Sequence, residues 1–360
     1  MQLGIVGLPQ SGKTTIFNAL TRGNQPTSQG GGKLAMHTSV VDVPDERIDR
    51  LSAMFKPQKT IYAKTTYVDF GGIESSPGKE SAKGLSGPLL NRLSQMDGFL
   101  HVVRCFDRAQ LPHPLGSVDP QRDVEMMDAE FVLNDLIMVE RKLVKSREEY
   151  GKFGGKEKER LAHELSLFER LHQALSEEIP LRTLEFTEEE RKSISSFGFL
   201  SLKPMLKIYN LGEGQPPPNI PTKYPQATAE VALQGLLEME IAQLSPQDAQ
   251  VFMQEYGIEE LSLSKVIRLS YQLLKLQSFF TVGEDEVRAW TIPVGATALE
   301  AAGTIHTDLA KGFIRAEVVS YEDLIALGGL AEARSQGKLR MEGKQYIVQD
   351  GDIVHIRFNI

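Results

Sequence analysis

Cysteine is almost missing from this chain: Cys105, in "HVVRCFD", is the only one in 360 residues. A single thiol closes no internal disulfide and builds no thiolate metal cluster, which points to a reducing compartment. Long apolar runs are missing too, since no stretch of roughly 18 apolar residues occurs. The apolar start "LGIVG" has neither a basic leader nor a small-residue cleavage pattern. A cytoplasmic protein with no membrane partner is the expectation. Positive charge is in deficit, 40 Lys and Arg against 48 Asp and Glu, for a formal net charge of -8. That argues against a nucleic-acid coat over the whole surface and against DNA sequence specificity, and leaves room only for a local basic patch.

What is present reads as an α/β protein of two or three domains. "QLGIVG" (2–7) is a compact apolar run ending in glycine, and "KTTIFNALTR" then shows helical spacing through Ile16, Phe17 and Leu20. Further strand-like runs follow at 63–70, 97–106 and 202–210. Between the last two, apolar residues at Val132, Leu136, Val139, Leu143 and Tyr150 form a near-heptad seam with Ser146 as a gap. "GKFGGK" breaks it, and a second seam runs through Leu161, Leu165, Phe168, Leu171 and Leu175. Two helices joined by a glycine turn predict an antiparallel helical hairpin. A proline-rich loop covers 212–225, and helical patterning resumes after it. From Phe279 short strand signals surround one helical piece, "ALEAAGTIHTDLA", which predicts a small C-terminal α+β domain.

Charge is unevenly spread. Residues 141–160 hold eight Lys and Arg against four Glu, whereas 284–360 hold eight Lys and Arg against twelve Asp and Glu. The hairpin tip is a candidate RNA contact, or else a solvated charged helix face. The C-terminal domain would meet protein or shaped RNA rather than phosphate by charge alone.

"GLPQSGKT" fits G-x-x-x-x-G-K-[ST] at Gly7, Gly12, Lys13 and Thr14, directly after a strand and before a helix. Glycines let backbone N–H groups wrap a polyphosphate, and the helix N-terminus adds partial positive charge. Lys13 would neutralise the β and γ phosphates, and the Thr14 hydroxyl would ligate Mg²⁺. "YVDFGGI" supplies Asp69 to hold the magnesium through a water and Gly72, whose N–H would sense the γ-phosphate. In "YNLGE", Asn210, Leu211, Gly212 and Glu213 stand where guanine-binding switches carry Asn-Lys-x-Asp. Leucine for lysine and glutamate for aspartate loosen any guanine preference.

With these three elements in order, the sequence resembles the Obg-like ATPase family, the YchF type of P-loop protein. "HVVRCFD" (101–107) and the stretches 287–324 and 343–360 carry the likeness over essentially the whole chain. The resemblance implies a P-loop domain at 1–124 and 200–278, an inserted helical hairpin at 125–199, and a TGS domain of β-grasp type at 279–360. It also implies slow hydrolysis of ATP, often in preference to GTP, with Mg²⁺ as cofactor and the ribosome or its RNA as partner. Family contacts carry over to Gln10, Ser11, Gly12, Lys13, Thr14 and Thr15, to Thr14 and Asp69 for magnesium, and to Asn210, Leu211 and Glu213 for the base.

Several positions leave the family pattern. Ile73 stands where many switch GTPases have a water-orienting glutamine, and it cannot orient water by hydrogen bonding. The resemblance offers His113, in "LPHPLGSVDP", for that catalytic role. Gln10 and Ser11 replace the usual Asn-Val, putting potassium stimulation in doubt. Lys33 falls at the first-switch threonine, leaving the second magnesium contact missing or supplied by a neighbour such as Thr38. Two other classes stay open: a regulatory module that holds nucleotide with little or no hydrolysis, and a metabolic kinase, disfavoured because no small-substrate pocket with a general base is evident.

Overall fold

A computed structural model describes residues 1–26, 35–71, 87–152, 154–221, 228–255, 258 and 260–359. The chain runs β1 (Gln2–Val6), α1 (Lys13–Thr21), β2 (Ala35–Asp42), α2 (Glu46–Phe55), β3 (Lys59–Ile61), β4 (Lys64–Gly71), α3 (Gly87–Leu93), β5 (Gly98–Arg104), α4 (Pro120–Tyr150), α5 (Gly155–Ser176), α6 (Glu188–Ile194) and β6 (Met205–Asn210). It continues through β7 (Thr228–Leu233), α7 (Gly235–Ala242), α8 (Pro246–Glu255), α9 (Ser262–Leu273), β8 (Leu276–Thr281), β9 (Glu286–Pro293), α10 (Ala298–Ile305) and α11 (Thr307–Lys311). The last elements are β10 (Phe313–Val319), α12 (Tyr321–Leu327), α13 (Leu330–Ser335), β11 (Arg340–Glu342) and β12 (Ile353–Phe358).

Two compact units result. The first holds Met1–Ser39 and Thr66–Leu263, the second Val40–Thr65 and Ser264–Ile360. The sheet of the first has the order β2-β4-β1-β5-β6-β7, and β1 pairs in parallel with both β4 and β5. β5 and β6 are buried at every position, which is why 98–104 and 205–210 read as near-continuous apolar runs rather than alternating ones. A core of Val6, Val68, Phe70, Leu93, Phe99, Phe131 and Met205 lies on one face of this sheet, with the Phe99 and Phe131 rings 4.9 Å apart.

The hairpin helices form from the two seams. Asp119 caps α4 by accepting from the Arg122 N–H, with Pro120 at the first helical turn, where a missing N–H costs nothing. Val139, Leu143, Phe168, Leu171 and Leu175 pack in one cluster. The gap at Ser146 is polar and closed: its hydroxyl is fully buried and donates to Glu164 at 2.9 Å. At the root, the buried Asp135 carboxylate accepts from the Leu200 and Ser201 N–H groups and the Ser201 hydroxyl, at 2.9, 2.7 and 2.6 Å. Those bonds tie α4 to the segment that returns the chain to β6.

The second unit carries a six-stranded sheet ordered β11-β10-β12-β8-β9-β3. Its core of Phe279, Ile292, Ala298, Ala301, Ala302, Val318 and Val354 lies under α10. Residues 40–65 belong to this unit, unlike the grouping expected from sequence with 1–124. The three-residue β3 finds its ladder on β9, pairing Lys59–Ile61 with Glu286–Arg288, and such long-range pairing leaves no local signal. The expected single helical piece is two helices broken at His306, whose ring nitrogen accepts from the Asp308 N–H. Two more short helices follow, α12 capped by Ser320 and closed by Gly328 in the left-handed region. Among the described residues no helix is long and apolar enough to cross a membrane.

Candidate nucleotide site

β1 delivers the chain into a loop whose glycines are dictated by space. Gly7 has φ 147°, and a Cβ there would lie 2.3 Å from the Val102 carbonyl oxygen. Gly12, at φ 96°, would place a Cβ 2.2 Å from the Asn210 amide nitrogen. Gly12 also opens α1 without a side-chain cap, so the first-turn N–H groups of Lys13, Thr14 and Thr15 lack intrahelical acceptors and point outward as an anion-binding end.

Lys13 is buried, and its ammonium donates to the Gly7 and Leu8 carbonyls at 3.1 and 2.9 Å. Burial lowers its pKa from 10.5 to about 8, against the opposing pull of Asp69. Asp69 lies near the end of β4 with no exposed surface, and its Oδ2 accepts from the Thr14 hydroxyl at 2.8 Å. Burial raises the Asp69 pKa, while the Thr14 hydrogen bond and the charges of Lys13 and His37 oppose it. Among the described residues its Oδ1 is buried with no partner, as are Gln10 Oε1 and Ser11 Oγ in the loop itself. A hydroxyl, an orphaned carboxylate oxygen and an ammonium converging at an open helix end fit a divalent cation and a polyphosphate. Gln10 sits at φ 63°, a left-handed conformation that is uncommon for a non-glycine residue.

The residues expected at the base lie at the end of β6 and in the turn after it. Asn210 is buried; its amide donates to the Ser11 carbonyl and its oxygen accepts from the Gly235 N–H, both at 3.0 Å. Its oxygen and one of its two amide N–H groups thus brace the P-loop against the start of α7. Leu211 packs half-buried against Val103, Cys105, Val124 and Tyr209. Glu213 is exposed. Gln215, which sequence reasoning missed, closes this turn: it accepts from the Gly212 N–H at 2.9 Å and donates to the Cys105 carbonyl at 2.6 Å.

His113 faces inward. Its side chain is 2% exposed, Nε2 lies 2.9 Å from Asp123 Oδ2, and the Leu115 N–H donates to Nδ1 at 3.2 Å. Nδ1 is therefore the acceptor and Nε2 carries the proton, which leaves neither nitrogen for a water. Arg122 holds the other Asp123 oxygen through Nε and Nη2, at 3.0 and 2.8 Å. The buried Arg104 fixes the preceding loop by donating to the Phe106 and Leu111 carbonyls. Asp123 lies ten residues on, and no short motif links it to His113 in advance. Gly72, Ile73 and Lys33 lie outside the described residues. Thr38 is exposed on β2; its neighbour His37 is the residue whose ring packs against Phe17 of α1, centroids 6.3 Å apart.

At the hairpin tip the basic surplus is smaller than the sequence count. Lys142 pairs with Glu164, and Arg147 with Glu169 at 3.0 Å. Lys152, Lys156 and Lys158 are exposed with no carboxylate partner among the described residues. The Lys158 ammonium lies 4.9 Å from the Tyr150 ring centroid.

Residues 2–142 match the model of a family described as 50S ribosome-binding GTPase, and residues 276–359 match the YchF-GTPase_C family, described as a protein of unknown function. The chain is 38% identical over 367 residues to the ribosome-binding ATPase YchF of Bacillus subtilis and 40% identical over 367 residues to that of Haemophilus influenzae, with 99% of each chain covered in both cases. The solved structure of the Schizosaccharomyces pombe YchF GTPase superposes with a TM-score of 0.83 at 29% identity, covering 99% of this chain and 97% of that one. Identity at this level over nearly full length, joined to a P-loop whose lysine, threonine and aspartate converge, shows that the chain belongs to the YchF-type, Obg-like family of P-loop NTPases.

Proposed function

We propose that this protein binds ATP with Mg²⁺, hydrolyses it slowly, and uses the bound state to control its contact with the ribosome in the cytoplasm. The observation that carries the reading is the Thr14–Asp69 hydrogen bond of 2.8 Å, beside the buried Lys13 ammonium and the uncapped start of α1. Thr14 and Asp69 would hold the cation, which when bound neutralises phosphate charge. Lys13 would leave the Gly7 and Leu8 carbonyls for the β and γ phosphates, and the loop from Gln10 to Thr15 would wrap them with backbone N–H groups. Gly72 is part of the same proposal as a γ-phosphate contact.

Base preference follows from what the Asn210 region lacks. Guanine recognition needs a fixed carboxylate accepting two donors, and Glu213 is exposed while Leu211 is apolar. Adenine asks for less, and a half-buried leucine beside the ring suits it. Slow turnover follows from His113, which must break its contact with Asp123 before it orients water. That same contact favours a second reading, a module that holds nucleotide and barely turns it over.

Relatives named as ribosome-binding supply the partner, and the exposed tip lysines 152, 156 and 158 of the hairpin inserted at 125–199 supply a surface for RNA phosphate. The region at 279–360, proposed as the TGS domain, would meet protein or shaped RNA. Competitive ATP and GTP binding, followed by single-turnover hydrolysis, tests the proposal. Tighter ATP binding with a slow single turnover supports it. Nucleotide binding by Lys13→Ala as tight as by the parent protein would overturn it.

A further inference from the structure

The long hairpin helix α4 has two unlike sides. Phe131, Asp135, Val139, Leu143 and Ser146 are buried on the side that faces the core and α5. With 3.6 residues per turn, Met126, Leu133, Ile137 and Val144 fall on the opposite side, within about 40° of one another. Each of the four is between 39% and 60% exposed. Single exposed apolar residues are ordinary, but four large ones in line make a contact ridge, and no described residue covers it.

The spacing of the ridge names its partner. Its members stand seven, four and seven positions apart, so the ridge reads the same from either end about a centre at Asp135. An isologous contact requires that self-complementarity. Laid antiparallel on a second α4, Met126 meets Val144 and Leu133 meets Ile137. Charge selects the same orientation. Glu130 and Arg141 lie on one flank of the ridge, and Arg141 is exposed with no carboxylate partner among the described residues. A two-fold axis between antiparallel helices brings equal flanks together, so Glu130 of each copy faces Arg141 of the other. A parallel pair would set Glu130 against Glu130 and Arg141 against Arg141, which repel.

We propose that the exposed ridge of α4 is a homodimer interface, with two copies of this chain packing α4 antiparallel about a two-fold axis at Asp135. The inference is independent of the nucleotide reading. The ridge spans about 27 Å of helix. A contact of that length is at the small end of specific interfaces, so the dimer is reversible and forms at roughly 10–100 μM.

Sedimentation equilibrium of the full chain over roughly 5–200 μM tests it. The parent should pass from monomer to dimer, and Leu133→Arg should raise the dissociation constant by about tenfold or more. Glu130→Arg and Arg141→Glu should each weaken the dimer, and the double variant should recover parent affinity. All three positions lie off the buried side of α4, so thermal unfolding should match the parent. A short bis-maleimide should join Met126→Cys to Val144→Cys in a mixture and neither variant to itself, because like positions lie about 27 Å apart along the axis. Cys105 is buried and takes no part. A parent that stays monomeric throughout, a dimer indifferent to Leu133→Arg, or cross-linking of like positions would overturn the proposal. A monomeric parent whose ribosome cosedimentation is weakened by Leu133→Arg would assign the ridge to the ribosome and overturn it equally.

Discussion

Replacing Lys13 by methionine separates the two things that this side chain does. Its ammonium is buried and its pKa is lowered from 10.5 to about 8, chiefly by desolvation. A base whose folded pKa is lowered binds fewer protons folded than unfolded between pH 8 and 10.5, so stability rises with pH across that window. The shift corresponds to about 3 kcal/mol, carried as a penalty at neutral pH and released by pH 10.5. Methionine keeps the length and removes the charge, but it also removes the bonds to the Gly7 and Leu8 carbonyls. Those are worth about 1.5–3 kcal/mol each. At pH 7 the gain and the loss are comparable, and a single stability measurement there decides little. The slope decides. Urea unfolding of nucleotide-free protein in EDTA, from pH 7.5 to 10, should show the parent gaining about 2.4 kcal/mol relative to Lys13→Met. Tyrosines and Cys105 titrate alike in both proteins and cancel in the difference. Parallel curves would refute the picture of a charge stored at a desolvation cost inside the loop. Parent nucleotide affinity should also weaken above pH 8, as the lysine loses its proton.

Asn210→Ala strands the Ser11 carbonyl and the Gly235 N–H, so urea unfolding should show a loss of about 2–4 kcal/mol together with weaker nucleotide binding. Gln10→Gly relieves a left-handed residue at φ 63°, and calorimetry should show stabilisation of about 1 kcal/mol. Asp123→Asn weakens the hold on the His113 ring, and the single-turnover rate should rise if release of that ring limits hydrolysis; an unchanged rate removes His113 from the mechanism. Replacing Lys145, Lys152, Lys156 and Lys158 by alanine should lower the salt dependence of ribosome cosedimentation by about three in log–log slope, and an unchanged slope would place the contact elsewhere.

The local parts of this protein were legible in its sequence. A strand ending in glycine, a fixed spacing to Lys13 and Thr14, and a helix with no side-chain cap define the phosphate loop within fifteen residues. Nothing distant is needed to read it. The hairpin seams at Val139–Leu143 and Phe168–Leu175 were equally plain, because helical periodicity and a glycine turn are short-range properties. The meaning of individual polar residues was less accessible. Asn210 reads as a base contact in sequence, and its bracing bonds were not legible there, since its partners at Ser11 and Gly235 are brought to it by parallel strands and not by spacing.

Composition and motif spacing by themselves determined an α/β P-loop protein with a helical insertion and an acidic C-terminal α+β region, because each depends on residue type and short-range period. Tertiary structure alone decided that His113 turns toward Asp123, that residues 40–65 join the C-terminal sheet through β3, and that His37 rather than Thr38 lies on the α1 side of β2. Each of these depends on which distant groups can satisfy a buried hydrogen bond, and that competition is settled only when the chain has packed.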